Sequence, residues 1–191
     1  GLGGCLAEAL AVALGMTKDE VVAMLDDQLA PVHEKLNEQR RIKNQPPRTL
    51  EMTGKPGDYW HSLVILEALK KKFGDGCFIF KKKKIKSKMF KKDKMYLVDG
   101  LLNRHSVYGL GATHYIDGHD DPEFADPKFW RHCILVKKGK FHCKGIPEPE
   151  SIKYLWLNAK TGRPNQRKGY MQTIEKVFEI GVTVSAAAAL L

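Results

Sequence analysis

The spacing of apolar residues changes from helical to strand-like near residue 77, and this change limits which folds are open to the chain. Three segments before it place apolar residues at helical intervals and are predicted as helices: 5–14, 17–41 and 58–72. Short apolar runs after it are predicted as strands: 77–80, 96–98, 132–136, 140–143 and 154–157. A last segment, 171–180, has a helical stripe and is predicted as a helix. We therefore predict an α+β fold in which N-terminal helices pack against a C-terminal antiparallel β-sheet.

Local signals mark the ends of several of these elements. Thr17 and Glu20 have the spacing of a capping box at the start of the second helix. Pro31 predicts a break within that helix. Residues 44–57 are rich in Pro and Gly and are predicted as a surface loop. The dipeptide at 138–139, Lys-Gly, predicts the turn of a β-hairpin.

Length and composition predict one globular domain. The chain has 191 residues, of which 43% are hydrophobic and 28% charged, a mixture typical of chains that bury a core. Its apolar runs fall short of the roughly 20 residues that span a bilayer, so no membrane partner is predicted. We predict a single domain over residues 1–191 with a lysine-rich insertion at 81–94. Because the chain begins at Gly1 and not at Met, a processed or truncated start is expected.

The positive charge of the chain is concentrated in the lysine-rich insertion. Residues 81–94 contain nine lysines and one aspartate, a charge of +8, so only about +2 of the formal +10 belongs to the rest. Three interpretations stay open: a solvated hairpin extension, a nuclear-localisation signal, or an arm that contacts nucleic-acid phosphates. Phe90 is its only aromatic residue, so such contacts are expected to be independent of base sequence. The lysines that would make them are Lys81, Lys82, Lys83, Lys84, Lys86 and Lys88.

Four cysteines are present, without the spacing of a disulfide framework and without a Cys-x-x-Cys pair. This usage predicts a reducing intracellular compartment, cytoplasmic or nuclear. The region 99–145 is rich in ligating side chains, so a zinc site is one alternative: His105, His114, His119, His132, Cys133, His142 and Cys143. Its spacings fit no standard zinc finger, and neither a metal nor another cofactor is predicted.

Cys5 and His132 form the candidate catalytic pair. Cys5 stands at the predicted start of the first helix, where the helix dipole favours a thiolate. His132 stands at the predicted start of a strand in the second half of the chain. A histidine that meets such a cysteine in the fold takes up its proton and makes it a nucleophile. The sequence therefore predicts a thiol hydrolase.

Three stretches of the chain resemble the papain-like cysteine peptidase superfamily: GGCLAEAL at 3–10, LEALKKKFGDGCFIF at 66–80 and RHCILVKKGKF at 131–141. The order of the elements is similar over most of the chain. Within the superfamily it looks most like Josephin-type and ovarian-tumour-type deubiquitinases and viral leader proteases. The resemblance implies a papain-like fold and hydrolysis of peptide or isopeptide bonds in ubiquitin-like conjugates or a viral polyprotein. It also implies Cys5 as nucleophile, His132 as base and Asn158 as the residue that orients the imidazole.

An alternative interpretation is a catalytically inactive papain-like fold that serves as a binding or assembly module. The superfamily places a Gln upstream of its cysteine, whereas only four residues precede Cys5 here. Pairing Lys137 with Lys140 in the hairpin puts Gly145 opposite His132, and glycine has no side chain to orient an imidazole. In this interpretation the lysine-rich insertion docks on RNA or an acidic partner.

Overall fold

A computed structural model describes residues 5–86, 88–102, 131–143, 148–155 and 170–183. The chain divides into two compact units. The helical unit comprises Leu6–Phe80 and Gly181–Leu191, and the sheet unit comprises Gly1–Cys5 and Lys81–Ile180. The single domain over residues 1–191 remains a prediction.

The helical unit contains most of the helical residues. Its elements are α1 (Cys5–Leu14), α2 (Lys18–Ile42), α3 (Leu50–Thr53), α4 (Ser62–Phe73) and a ribbon of β1 (Gly54–Lys55) with β2 (Tyr59–Trp60). α2 packs against α4, and the apolar stripes of the two helices supply much of the core of this unit. The buried residues on these stripes are Val21, Leu25, Leu29 and Val32 of α2 and Val64, Ile65, Ala68 and Leu69 of α4.

The predicted start of α2 is confirmed, but the break at Pro31 is wrong. Glu20 N donates to Thr17 Oγ1 at 3.2 Å, and Thr17 N donates to Glu20 Oε2 at 3.1 Å, which completes the capping box. The helix continues through Pro31 to Ile42. Proline removes one backbone hydrogen bond, and the packed stripe of α2 on both sides of it keeps the helix intact.

The segment before α4 is more ordered than the loop and early helix that the sequence predicts. Tyr59 and Trp60 pair with Lys55 and Gly54, so the residues that begin the predicted third helix form β2 instead. Trp60 Nε1 donates to Asp26 Oδ1 of α2 at 2.9 Å, a contact distant in sequence that overrides the local helical pattern.

Six strands form one antiparallel sheet in the order β3-β8-β4-β5-β6-β7. They are β3 (Phe78–Lys83), β4 (Met95–Leu102), β5 (Arg131–Lys137), β6 (Lys140–His142), β7 (Glu150–Ser151) and β8 (Met171–Val182). The predicted hairpin is confirmed: Lys137 pairs with Lys140, and the turn residues Lys138 and Gly139 both have positive φ. N-terminal helices and an antiparallel sheet thus confirm the α+β class.

The predicted helix at 171–180 is wrong, because these residues form β8. The register against β4 skips Glu175 between Ile174 and Lys176, and skips Gln172 between Met171 and Thr173. Each skipped residue is a β-bulge, which adds one residue to the strand without advancing the pairing. Met171, Ile174 and Val177 therefore share one core although they stand three residues apart. Two bulges make a strand imitate the spacing of a helix.

The predicted strand at 154–157 is also displaced. The chain forms β7 at Glu150–Ser151, then a 3₁₀ turn at Ile152–Tyr154, and residues 156–157 lie outside the described part. Ser151 caps this turn, its Oγ accepting from Lys153 N at 3.4 Å. None of the helices in the described residues combines the length and the apolar character needed to cross a bilayer.

Candidate active site

His132 is buried on the core face of the sheet unit. It is the second residue of β5 and only 2% exposed. Side chains alternate along a strand, so His132 shares a face with Ile134 and Val136, both of which belong to the core. On β4 its cross-strand partner is Gly100. Because Gly100 carries no side chain, no Cβ from this position of β4 lies against the imidazole.

A thiol and a phenol lie beside this imidazole. His132 Nε2 lies 2.7 Å from Cys143 Sγ, and the Tyr170 hydroxyl lies 3.0 Å from the same sulfur. Cys143 directly follows β6 and is half-buried, whereas Tyr170 is fully buried. We call these three residues the thiol–imidazole cluster. The Cys143 thiol thus has an imidazole, which can accept its proton, and a hydroxyl within hydrogen-bonding distance.

The backbone and the core hold the members of this cluster in place. Tyr170 N donates to Tyr154 O at 2.7 Å. The Tyr170 ring stacks on Phe141 with a centroid distance of 5.2 Å and meets the His132 ring edge-on at 6.3 Å. Because these contacts already hold the sulfur beside the imidazole, no conformational entropy is lost in bringing the two together when a ligand binds.

The opposite face of β5 carries a different thiol, Cys133. Burial raises the pKa of Cys133 well above its usual range, and the nearby groups Cys5, Asp99 and Cys143 raise it further. Cys133 therefore stays a neutral thiol. Cys5, the first residue of α1, is half-buried and lies near enough to Cys133 to contribute to this effect.

Ionic side chains surround Asp99, which pairs with Cys133 across β4 and β5. Burial raises the pKa of Asp99, while the charges of Arg131 and Lys176 oppose that rise. Arg131 Nη1 lies 2.7 Å from Glu175 Oε2 and 4.0 Å from Asp99 Oδ2. The bulge at Glu175 thus brings an acidic side chain to Arg131.

The structure places His132 beside Cys143. Cys5 does stand at the start of α1 as predicted, and it lies near enough to Cys133 to raise the pKa of that thiol. Asn158, the predicted orienting residue, lies outside the described residues. Whether Cys5 works with His132 stays a prediction.

Sequence reasoning considered Cys143 only as a possible zinc ligand, and it missed Tyr170. The hairpin register contains a signal for Cys143: with Leu135 paired to His142, the next position puts Cys143 opposite Ile134, on the His132 face. Nothing in the sequence pointed to Tyr170, which comes from a distant part of the chain.

Among the described residues, no group of three side chains is arranged to bind a metal ion. His105, His114 and His119 lie outside them.

Comparison of the chain with protein-family models, with curated proteins and with solved structures finds no match in any of the three.

Proposed function

We propose that the protein is a thiol hydrolase of papain-like type that cleaves peptide or isopeptide bonds by a Cys/His mechanism. The observation that carries this proposal is the contact of 2.7 Å between His132 Nε2 and Cys143 Sγ. A sulfur this close to an imidazole nitrogen shares a proton with it, which is the requirement for a cysteine nucleophile. The geometry favours Cys143 as that nucleophile, with Cys5 as the competing assignment.

The reaction requires no group beyond the cluster and water. His132 Nε2 takes the proton from Cys143 Sγ, and the thiolate forms a bond to the substrate carbonyl carbon. The imidazolium then returns the proton to the departing amine as the C–N bond breaks, which leaves a thioester. Water, deprotonated by His132, hydrolyses the thioester and regenerates the thiol.

Tyr170 has a specific part in this scheme. Its hydroxyl, 3.0 Å from Cys143 Sγ, donates to the sulfur once the sulfur is an anion. A hydrogen bond to a charged group contributes about 1.5–3 kcal/mol, which corresponds to roughly 10- to 150-fold in the population of thiolate. Tyr170→Phe removes the hydroxyl and keeps the ring that stacks on Phe141. We expect this variant to alkylate more slowly at neutral pH by up to that factor.

Cysteine-specific labelling tests the proposal. The wild-type protein is treated with iodoacetamide and, separately, with a thiol-reactive ubiquitin probe, and the modified peptides are identified by mass spectrometry. We expect Cys143 to react selectively and His132→Ala to abolish this selectivity. Hydrolysis of casein and of a ubiquitin isopeptide substrate should be lost in Cys143→Ser and retained in the matched control Cys77→Ser, because Cys77 lies outside the cluster.

Three outcomes decide between the assignments. Loss of activity in Cys143→Ser but not in Cys5→Ser supports the nucleophile that the geometry favours. The reverse result shows that Cys5 is the nucleophile and overturns the assignment of Cys143. Slow, equal labelling of several cysteines with no hydrolysis contradicts the hydrolase itself.

A further inference from the structure

We propose that the lysine segment, residues 81–94, is a docking surface for the phosphate backbone of a nucleic acid, separate from the thiol–imidazole cluster. The first three residues of the segment belong to β3, which ends at Lys83, and the rest leads to the start of β4 at Met95. All of its residues except Ser87 are described. The inference rests on how this segment is anchored and on which of its lysines are left exposed.

A buried carboxylate fixes the two ends of the segment. Glu179 of β8 is only 4% exposed, and its Oε1 lies 3.9 Å from Lys83 Nζ and 3.3 Å from Lys94 Nζ. A buried carboxylate needs opposite charge around it, so these two lysines serve the fold. They are therefore not available to a ligand without destabilising the sheet unit.

The middle of the segment is anchored by apolar contacts. Met89 is buried in the core of the sheet unit, and the Phe90 ring meets the Tyr96 ring edge-on at a centroid distance of 5.2 Å. Lys91 N donates to the Tyr96 hydroxyl at 3.1 Å. The segment is thus folded onto the sheet, which lowers the ordering cost of presenting its charges to a partner.

The remaining lysines point to solvent. Seven are exposed and form no ion pair among the described residues: Lys81, Lys82, Lys84, Lys86, Lys88, Lys91 and Lys92. Asp93 is the only acidic residue within the segment. Cations concentrated in this way repel one another, and a partner with closely spaced negative charge relieves that repulsion.

The chemistry of the segment favours a phosphate backbone over other polyanions. A duplex carries about one phosphate charge per 1.7 Å of its axis, so the seven exposed lysines of the segment can contact several phosphates without a shaped pocket. Phe90 is engaged with Tyr96 and is not presented for base stacking, which makes the contact independent of sequence. Ile85, 37% exposed, is the large exposed apolar residue of the segment, too little for insertion into a membrane.

Salt-dependent binding tests this inference. Fluorescence anisotropy of two labelled 20-base-pair duplexes of unrelated sequence is measured with the full chain between 50 and 200 mM NaCl. We expect equal affinities for the two sequences and a log–log salt slope between about −3 and −6, since each phosphate contact contributes about −0.9. Cys143→Ser should bind as the wild type does, because the cluster takes no part.

A matched pair of triple variants separates the segment from the overall charge. Lys84→Gln/Lys86→Gln/Lys88→Gln removes three exposed charges of the segment, and Lys43→Gln/Lys55→Gln/Lys72→Gln removes three exposed charges of the helical unit. The first variant should bind at least about 10-fold more weakly at 50 mM salt, with a slope smaller by about 2 to 3. The second should bind nearly as the wild type does.

Equal losses in the two triple variants would show that net charge alone drives binding and would overturn the proposal. So would affinity that does not change with salt. Tighter binding to vesicles of 30% phosphatidylserine, or to polyglutamate, than to the duplexes would identify another partner and equally reject a nucleic acid. Circular dichroism of each variant checks that the exposed substitutions leave the fold unchanged.

Discussion

At the scale of single residues, His142 combines burial with like charge. Burial lowers the pKa of His142 below its ordinary value near 6.5, and the flanking charges of Lys137 and Lys140 lower it further. The fold therefore favours the neutral imidazole. The stability that the fold gains from a neutral His142 is fully present above about pH 6.5. It is lost as the pH falls through the lowered pKa of His142 in the folded state.

Replacement of His142 by Gln should flatten this pH dependence. Between pH 7.5 and 5.0 the free energy of unfolding, measured by urea titration, should fall more in the wild type than in His142→Gln. Lys140→Gln keeps the imidazole and removes one of the two cations, so it should show an intermediate slope. Parallel curves for wild type and His142→Gln would contradict the assigned cause.

At the scale of elements, the contact between β4 and β8 depends on the absence of a side chain at Gly100. A Cβ built there would collide with the backbone carbonyl oxygen of Thr173, which cannot move without breaking the strand pairing. Gly100→Ala should therefore lower the free energy of unfolding by about 1–3 kcal/mol, the usual cost of overpacking.

Gly181→Ala is the matched control for this substitution. Gly181 lies on β8, the strand that pairs with the β4 strand of Gly100, but a Cβ there meets no atom within 4 Å. Both variants reduce the freedom of the unfolded chain equally, so the difference between them isolates the collision. Denaturant unfolding should give a change within about 0.5 kcal/mol for Gly181→Ala. Similar losses in the two variants would mean that strand flexibility, not the contact with Thr173, matters.

Sequence patterns predicted elements well where one local signal dominates. The capping residues Thr17 and Glu20 fixed the start of α2, and the two turn residues after Lys137 fixed the β5–β6 hairpin. The patterns failed where distant contacts decide. The bulges of β8 depend on its pairing with β4, and β2 depends partly on Trp60 reaching Asp26. No local window contains that information.

At the scale of the whole molecule, one residue of the candidate site was predictable from a local pattern, and the others depend on contacts between distant segments. His132 was predictable, since its place at the start of a strand follows from the local apolar run. Its neighbour Cys143 required the hairpin register, and Tyr170 required packing between segments separated by 27 residues in sequence. Contacts between distant segments produce no periodic pattern in the sequence. The sequence therefore predicted His132 as a site residue but not its contacts with Cys143 and Tyr170.

The thiols also report on the stability of the whole molecule. Cys133 is buried in the sheet and its pKa is raised, whereas Cys77 is half-buried. We expect native wild-type protein to label with N-ethylmaleimide at Cys77 within the experiment, and at Cys133 at least about 1,000-fold more slowly than in 6 M guanidinium. A domain with 5 kcal/mol of stability opens globally in fewer than one molecule in a thousand.

The pH dependence of labelling shows whether Cys133 is protected by its burial or by its raised pKa. Raising the pH from 7 to 9 increases the thiolate fraction of any accessible cysteine. If burial controls access, the ratio of native to denatured labelling at Cys133 stays low at both pH values, because the sheet must open before reagent enters. If the ratio instead rises toward one at pH 9, the raised pKa alone accounts for the protection. Labelling of Cys133 as fast as Cys77 at pH 7 would contradict its place in the core.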